Sequence, residues 1–400
     1  MKRQGERAKI RLDRPLDAYY EGISERFGIA QVLLYLSLLV FVVLSLISNT
    51  RLLTYQNFYY FFRDLGASAE TVDVLHTDGL TYPTDASQSF TLYRQGLAVA
   101  GETSVTVFTP SGRQVISQKV QYSNPAAVGS GKYLLVYEAD GLQYSLYNSY
   151  AQVYAGKSAN AIRAAAVSES GAYLLLSASE NFPSEMELYD SDFERIGYYT
   201  LYSHVTDVAI NRKGTVFAFL TSEIADGVCR TTVRIYETGK REPVAVTTVG
   251  SSLGLSCAFT DSGTLSVICR DGYVTLSARG EILQDYRFDG ARILSADQSR
   301  DGCAMILKKN GISSKKEAIA FDKSGKMLYN KDITETADSI RLCGDAIFLL
   351  CADGVTRIRT DSGREQRIAC VTDQRFLLAY DDSCVLVCSS KRAVFCRFGN

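Results

Sequence analysis

Along most of this chain a polar turn ending in glycine is followed by a burst of apolar residues. The phrase reads Ser130-Gly131-Lys132-Tyr133-Leu134-Leu135-Val136, then Ser170-Gly171-Ala172-Tyr173-Leu174-Leu175-Leu176. It returns at Lys213–Phe219, Ser262–Ile268 and Asp301–Leu307. After each burst comes a stretch of period-two alternation and a second polar turn, as in Val233-Arg234-Ile235-Tyr236-Glu237-Thr238-Gly239. Alternation bounded by Ser, Asp and Gly predicts strands joined by hairpins, because the turn uses glycine's positive φ and the strand buries one face.

Two hairpin turns per unit predict four strands per unit. First-turn markers at Gly96, Gly131, Gly171, Gly214, Gly263, Gly302, Gly344 and Asp382 recur every 41 residues or so, with the longest step around Ser222–Gly227, where a loop insertion is expected. A repeat of that length matches the ~40–45 residues of a four-stranded propeller blade. The fold class expected is all-β, an eight-bladed β-propeller. Seven blades stay open if the unit holding Asn148-Ser149-Tyr150-Ala151 is degenerate, and a pair of β-sandwiches is the structural alternative. The last unit ends after three strands, near Phe376–Tyr380, Cys384–Ser389 and Ala393–Phe398. Its fourth is expected from upstream, near Thr71–Leu75 or Leu80–Tyr82, which would close the ring and remove an exposed edge.

Ahead of the repeats lies a different pattern. From Gly28 to Thr50 there is no charged residue, and Ile29–Ile47 is broken only by Gln31, Ser37 and Ser45 among apolar positions. At ~1.5 Å per residue such a run approaches the ~30 Å of a bilayer's hydrocarbon. Lys2, Arg3, Arg7, Lys9, Arg11, Arg14 and Arg26 precede it, against Arg51 and Arg63 behind, and lysine and arginine set topology. The organisation expected is a cytoplasmic basic tail over 1–27, a single-pass signal-anchor helix over 28–50, an aromatic juxtamembrane segment over 51–69 and an extracytoplasmic propeller over 70–400. Tyr55, Phe58, Tyr59, Tyr60, Phe61 and Phe62 suit an interfacial belt or a short helix packed on the globular domain.

Composition removes several classes of function. A net charge of -1 gives no electrostatic reason to expect nucleic acid. The chain has no tryptophan, which argues against propellers with a structural Trp in each blade, quinone-cofactor dehydrogenases and sialidase-type repeats. All ten cysteines fall between Cys229 and Cys396, with no CxxC; mostly free, buried thiols are expected, although Cys343 and Cys351 could face each other on neighbouring strands. Cys384 and Cys388 lack the further ligands of a metal site.

Several motifs imitate chemistry. Gly250-Ser251-Ser252-Leu253-Gly254 matches the nucleophile-elbow spacing, but a strand follows it and no histidine occurs after His204. Gly129-Ser130-Gly131-Lys132 lacks the first glycine and closing hydroxyl of a phosphate loop, and Asp190-Ser191-Asp192 lacks a calcium loop's closing acid. No catalytic, cofactor-binding or metal residue is therefore assigned, and no cofactor is expected. The candidate interaction loops are Ser179, Glu180 and Asn181; Ser222, Glu223 and Asp226; and Asn310, Ser313, Lys315 and Lys316, with His204 expected near the channel mouth. His76 has no nearby partner.

The basic tail, the apolar Ile29–Ile47, the aromatic stretch Tyr55–Phe62 and the glycine-turn repeats resemble an uncharacterised family of Gram-positive bacterial proteins. Those proteins carry one transmembrane helix and a C-terminal β-propeller. The resemblance implies no activity and no site residue to carry over; the apolar run makes the membrane an expected partner, and fold-level analogy to other anchored propellers adds a protein partner at the cell envelope. The function expected is a non-enzymatic interaction scaffold, against a glycan- or peptide-binding sensor and, less favoured, an enzyme using the channel. Oligomeric state is not indicated.

Overall fold

The computed structural model describes residues 27, 29–41, 43, 79–94, 96–148, 151–309, 315–333, 337–370 and 376–399. The chain divides into two units, Met1–Thr71 and Val72–Asn400. In the first, residues 29–41 are helical, and the apolar side chains from Ile29 to Phe41 are exposed around the whole circumference. Among the described residues no helix is long and apolar enough to cross a membrane. The basic tail before Phe27, the aromatic segment 51–69 and the strand option at 71–75 lie outside the described residues.

The second unit is a ring of eight four-stranded antiparallel sheets, each a meander in chain order. Blade 1 starts with Gln88–Tyr93, blade 2 with Pro125–Gly129, blade 3 with Ile162–Val167 and blade 4 with His204–Ile210. Blades 5 to 8 start with Gly254–Phe259, Arg292–Ser299, Ala337–Cys343 and Phe376–Ala379. These first strands surround the channel, and the fourth strands form the rim. The weak second unit is a full blade, so the count is eight. In place of a glycine turn it uses Asn148, whose N–H donates to Ala151 O (3.0 Å) while its Oδ1 accepts from Ala151 N (3.2 Å).

The apolar bursts are second strands, and their near-continuous hydrophobicity follows from their place. Each is covered on both faces by neighbouring blades, so alternate side chains enter different cores. Leu134 and Val136 pack towards blade 1, whereas Leu135 and Tyr137 pack towards blade 3. Eight apolar clusters result among the described residues, one at every blade–blade interface around the ring. Fourth strands face water, as the exposed Ile282–Arg287 shows. The first turns need glycine where the backbone is left-handed or crowded. At Gly302, with φ 143°, a Cβ would meet Phe321 O at 2.0 Å.

Closure comes from the upstream strand Leu80–Thr81, the second of the two expected positions. Leu80 pairs with Ala393 and Thr81 with Arg392 on the third strand of blade 8. Tyr82 extends the seam: its N–H donates to Lys391 O (3.1 Å) and its hydroxyl to Ser389 O (2.8 Å).

Two expectations need correction. Ser222–Gly227 is no inserted loop; the second and third strands of blade 4 are each extended to ten residues, Val216–Ala225 and Val228–Glu237. They pair without interruption from Val216–Glu237 to Ala225–Val228, leaving a two-residue turn at Asp226 and Gly227 with φ 54° and 77°. That is the left-handed Asp-Gly hairpin turn. Cys343 and Cys351 do not face each other either: Cys343 pairs with Ala346 and Cys351 with Ala337, at opposite ends of one strand pair.

Candidate functional site

The meander gives the ring two unlike ends. One carries the turns between first and second strands, here the glycine-turn face. The other carries the second–third hairpins and the crossings from blade to blade, here the crossing face.

On the glycine-turn face the channel opens as a cavity of about 560 Å³ whose wall takes residues from all eight first strands and turns, Leu92, Val128, Ala166, Ile210, Phe259 and Leu342 among them. Charged residues two positions before the turn glycine ring it: Glu169, Arg212, Asp261 and Arg300 in blades 3 to 6. Their signs alternate, and the ring brings them together. The Glu169 carboxylate accepts from Arg212 Nε at 2.6 Å and pairs with Arg300, reaching from blade 3 to blade 6. Arg212 Nη1 lies 3.9 Å from Asp261 Oδ1, and Gly344 N donates to Asp301 Oδ2 at 3.1 Å. Burial raises the Glu169 pKa, but hydrogen bonds from the two guanidinium groups outweigh it and hold the carboxyl below its ordinary value. The mouth is thus strapped across by charge-assisted bonds.

Deeper in the channel wall, side chains of one blade satisfy unpaired N–H groups on the next blade's first strand. Asp207 accepts from Cys257 N (2.8 Å), Asp297 from Leu342 N (2.9 Å), and Ser89 Oγ from Ala127 N (3.1 Å). A first strand has one edge without a strand partner, and these side chains replace it. Burial pushes the Asp207 carboxyl up to about 6, against the opposing backbone hydrogen bonds from Cys257 and Val208. Asp297 is also raised by burial, with the Arg341 charge and Leu342 N–H opposing.

The sequence-derived candidates collect on the crossing face. Ser179, Glu180 and Asn181 form the second–third hairpin of blade 3, tied down by Ser179 N to Phe182 O at 3.0 Å and by the Ser179–Glu185 bond. His204 is exposed and opens the first strand of blade 4, opposite Ser222. It sits at the channel end away from the strapped mouth. Ser222 is buried and bonded to Thr231 Oγ1 (3.0 Å) and Gly254 N (3.2 Å), so it braces the blade and offers nothing to a partner. Glu223 and Asp226 are exposed on the extended hairpin. Lys315 is exposed, and Lys316 donates from Nζ to Ala337 O at 3.4 Å. Asn310 and Ser313 lie outside the described residues.

Beside that hairpin, between blades 4, 5 and 6, is a groove of about 810 Å³. Its wall includes Cys229, Ser252, Leu253, Leu255, Arg270 and Arg292. Arg287 is already engaged, by Asp271 (3.3 Å), Asp285 (2.7 Å) and Val249 O (3.1 Å). Arg270 and Arg292 form no ion pair among the described residues. Apolar side chains stand in water around the groove: Leu253, Leu255, Val228 and above all Ile224, 80% exposed at the hairpin tip. Tyr202, 84% exposed, packs its ring 5.3 Å from Phe182 on the neighbouring hairpin.

The imitation motifs resolve as structure. Gly250–Gly254 is the crossing from blade 4 to blade 5, and Ser252 Oγ bonds Asp271. Ser130–Tyr133 closes a hairpin through Ser130 N to Tyr133 O at 2.8 Å. Asp190 Oδ1 accepts from Asp192 N (2.9 Å) and Glu194 N (3.0 Å) within a turn. Among the described residues no group of three His, Cys, Asp or Glu could hold a metal ion. The spacing that reveals the strapped mouth, a charge two residues before the turn glycine, is present in the sequence but was not among its candidate sites. Alternating signs read as solvated turns until the ring sets them face to face.

Residues 73–377 match the model of a family of unknown function (DUF5711), and the chain belongs to that family. No curated protein matches it in sequence. Among solved structures it is similar to Chaetomium thermophilum Sqt1 bound to the N-terminus of the ribosomal protein L10, at 12% identity, covering 80% of this chain and 100% of that one, TM-score 0.56. It is similar to BamB from Moraxella catarrhalis at 14% identity, covering 80% and 98%, TM-score 0.53. A eukaryotic initiation factor is similar at 12% identity, covering 77% and 82%, TM-score 0.51. At these identities the likeness shows the fold alone.

Proposed function

We propose that this chain is a membrane-anchored, extracytoplasmic scaffold of a bacterial cell envelope that binds a protein segment on the crossing face of its propeller, without catalysis. The observation that carries the reading is the asymmetry between the two faces. One mouth is strapped by Glu169, Arg212 and Arg300. The other face carries the extended blade 4 hairpin, the exposed Ile224, Tyr202, Leu253 and Leu255, and a groove whose Arg270 and Arg292 form no ion pair among the described residues. Exposed apolar side chains around a basic groove suit an apolar segment bearing carboxylates. A closed ring holds such a surface rigidly, so little ordering entropy is lost on binding. Sqt1, which shares the fold, is bound to the N-terminus of another protein.

Support for the anchor is the uncharged apolar run Ile29–Ile47, of which residues 29–41 are helical with exposed apolar side chains. The excess of lysine and arginine ahead of it favours a cytoplasmic N-terminus. A second reading, a sensor taking a glycan or peptide in the channel, is favoured by the 560 Å³ cavity.

The test is cross-linking in intact cells followed by recovery of the chain. A partner protein is expected with the native chain and with Glu169→Gln, and at least tenfold less with Ile224→Asp or Arg270→Glu. Equal recovery with all four sinks the crossing-face reading. A trypsin-like protease outside the cell, or a thiol-reactive probe with the variant Lys315→Cys, is expected to reach the hairpin at Lys315, and protection there reverses the orientation.

A further inference from the structure

Ten thiols are spread over blades 4 to 8, and most are chemically quiet. Burial pushes Cys257 and Cys303 upward, and takes Cys269 and Cys343 to about 12. Such thiols are protonated and poorly nucleophilic at neutral pH. One pair differs. Cys370 Sγ lies 3.3 Å from Cys396 Sγ. Cys370 directly follows the outermost strand of blade 7, Glu365–Ala369, and is half-buried. Cys396 is buried on the third strand of blade 8, Arg392–Arg397, against which the closing strand Leu80–Thr81 is paired. Both belong to the apolar cluster between these two blades.

We propose that Cys370 and Cys396 are a disulfide-forming pair, a covalent staple between blade 7 and the blade that closes the ring. Two sulfurs in van der Waals contact need only a small side-chain rotation to reach the ~2.05 Å bonding distance. The hydrogen bond from Cys396 lowers the Cys370 pKa and the same bond raises that of Cys396, so Cys370 is the first nucleophile. Its thiolate attacks one sulfur of an oxidant disulfide, such as oxidised glutathione, releasing one thiol and leaving a mixed disulfide on Cys370. The Cys396 thiol then loses its proton and attacks Cys370 Sγ, expelling the second thiol. The two cysteines together lose two protons and two electrons, and the oxidant disulfide becomes two thiols. The bond would span 26 positions in sequence and join blade 7 to the strand on which the upstream closing strand pairs. It goes beyond the scaffold reading and does not depend on it, although an oxidising compartment would favour it.

The full chain is equilibrated with oxidised glutathione, unfolded in acid denaturant to quench exchange, alkylated at its remaining thiols in denaturant, and digested with trypsin without reduction. Peptide Ile368–Arg375 is expected covalently joined to Ala393–Arg397, with the other cysteines alkylated. Thermal unfolding is expected at a temperature several degrees higher than for the reduced chain, and the gain is expected to vanish in Cys370→Ser. All ten thiols alkylated, or links joining other peptides, would overturn the proposal. The mapping is done on the native sequence, so the link is detected or excluded even if a variant misfolds.

Discussion

Asp207 and Glu169 are both carboxylates at the channel, yet their environments drive them in opposite directions. The folded state raises Asp207 from 3.8 to about 6, so protonation is favoured on folding. Its contribution to stability is fully present below about pH 4 and is lost as pH rises through about 6. Asp207→Asn keeps an acceptor for the Cys257 N–H while removing the ionisation. The variant is expected to gain about 1–3 kcal/mol relative to the native chain between pH 5 and pH 8, read by urea unfolding at both values. Glu169 has the opposite sign: its folded pKa is lowered, so its contribution is present above its ordinary 4.5 and lost as pH falls. Glu169→Gln is expected to cost about 1 kcal/mol at pH 7 and to flatten the acid limb of the stability profile, with half-exposed guanidinium partners keeping the figure small. A native-like acid limb in the variant would remove Glu169 from the strap. Neither sign was legible beforehand, because composition does not say which carboxylate meets arginine and which meets a wall.

At the level of elements, the period predicted strands and turns well. The apolar bursts, the glycine turns and the alternating third strands all appear where the pattern sets them. The element that it misread is the blade 4 hairpin, where a longer repeat step became longer strands; residues 222–228 alternate too weakly to separate a loop from a pairing extension. The closing strand is the smallest element and the one with the largest consequence. Leu80 is 3% exposed in the cluster between blades 8 and 1. Leu80→Ala is expected to destabilise by about 2–4 kcal/mol, well above the cost of an exposed change such as Ile282→Ala on the rim. Calorimetry of the two variants compares them directly, and equal costs would mean that the seam contributes little. Gly302→Ala tests turn geometry in the same assay: φ 143° and the clash with Phe321 O predict a loss of about 2 kcal/mol or more.

For the whole molecule, closure makes function a property of faces. Residues remote in sequence, Phe182, Tyr202, Ile224 and Leu255, share the crossing face because each blade repeats the same meander. Truncating the hairpin to remove 223–230 and joining the paired Ser222 and Thr231 through Asp-Gly is expected to leave the ring folded and thermal unfolding within a few degrees, while abolishing capture of the partner. Capture that survives would move the docking surface off blade 4.

What the amino-acid order determined by itself was local and periodic: strand pattern, turn glycines, the length of the repeat and the need for a closing strand, while the choice of eight blades over seven waited for the second unit to be seen as a full blade. Each of these depends on residues a few positions apart, or on a repeat that any long window exposes. Only the tertiary structure decided which charges meet across the channel, which serine is a brace, which two thiols touch, and which hairpins share a face. Those depend on the angle between blades and on closure of the ring. Both arise from packing between units far apart along the chain, and no local pattern encodes that distance.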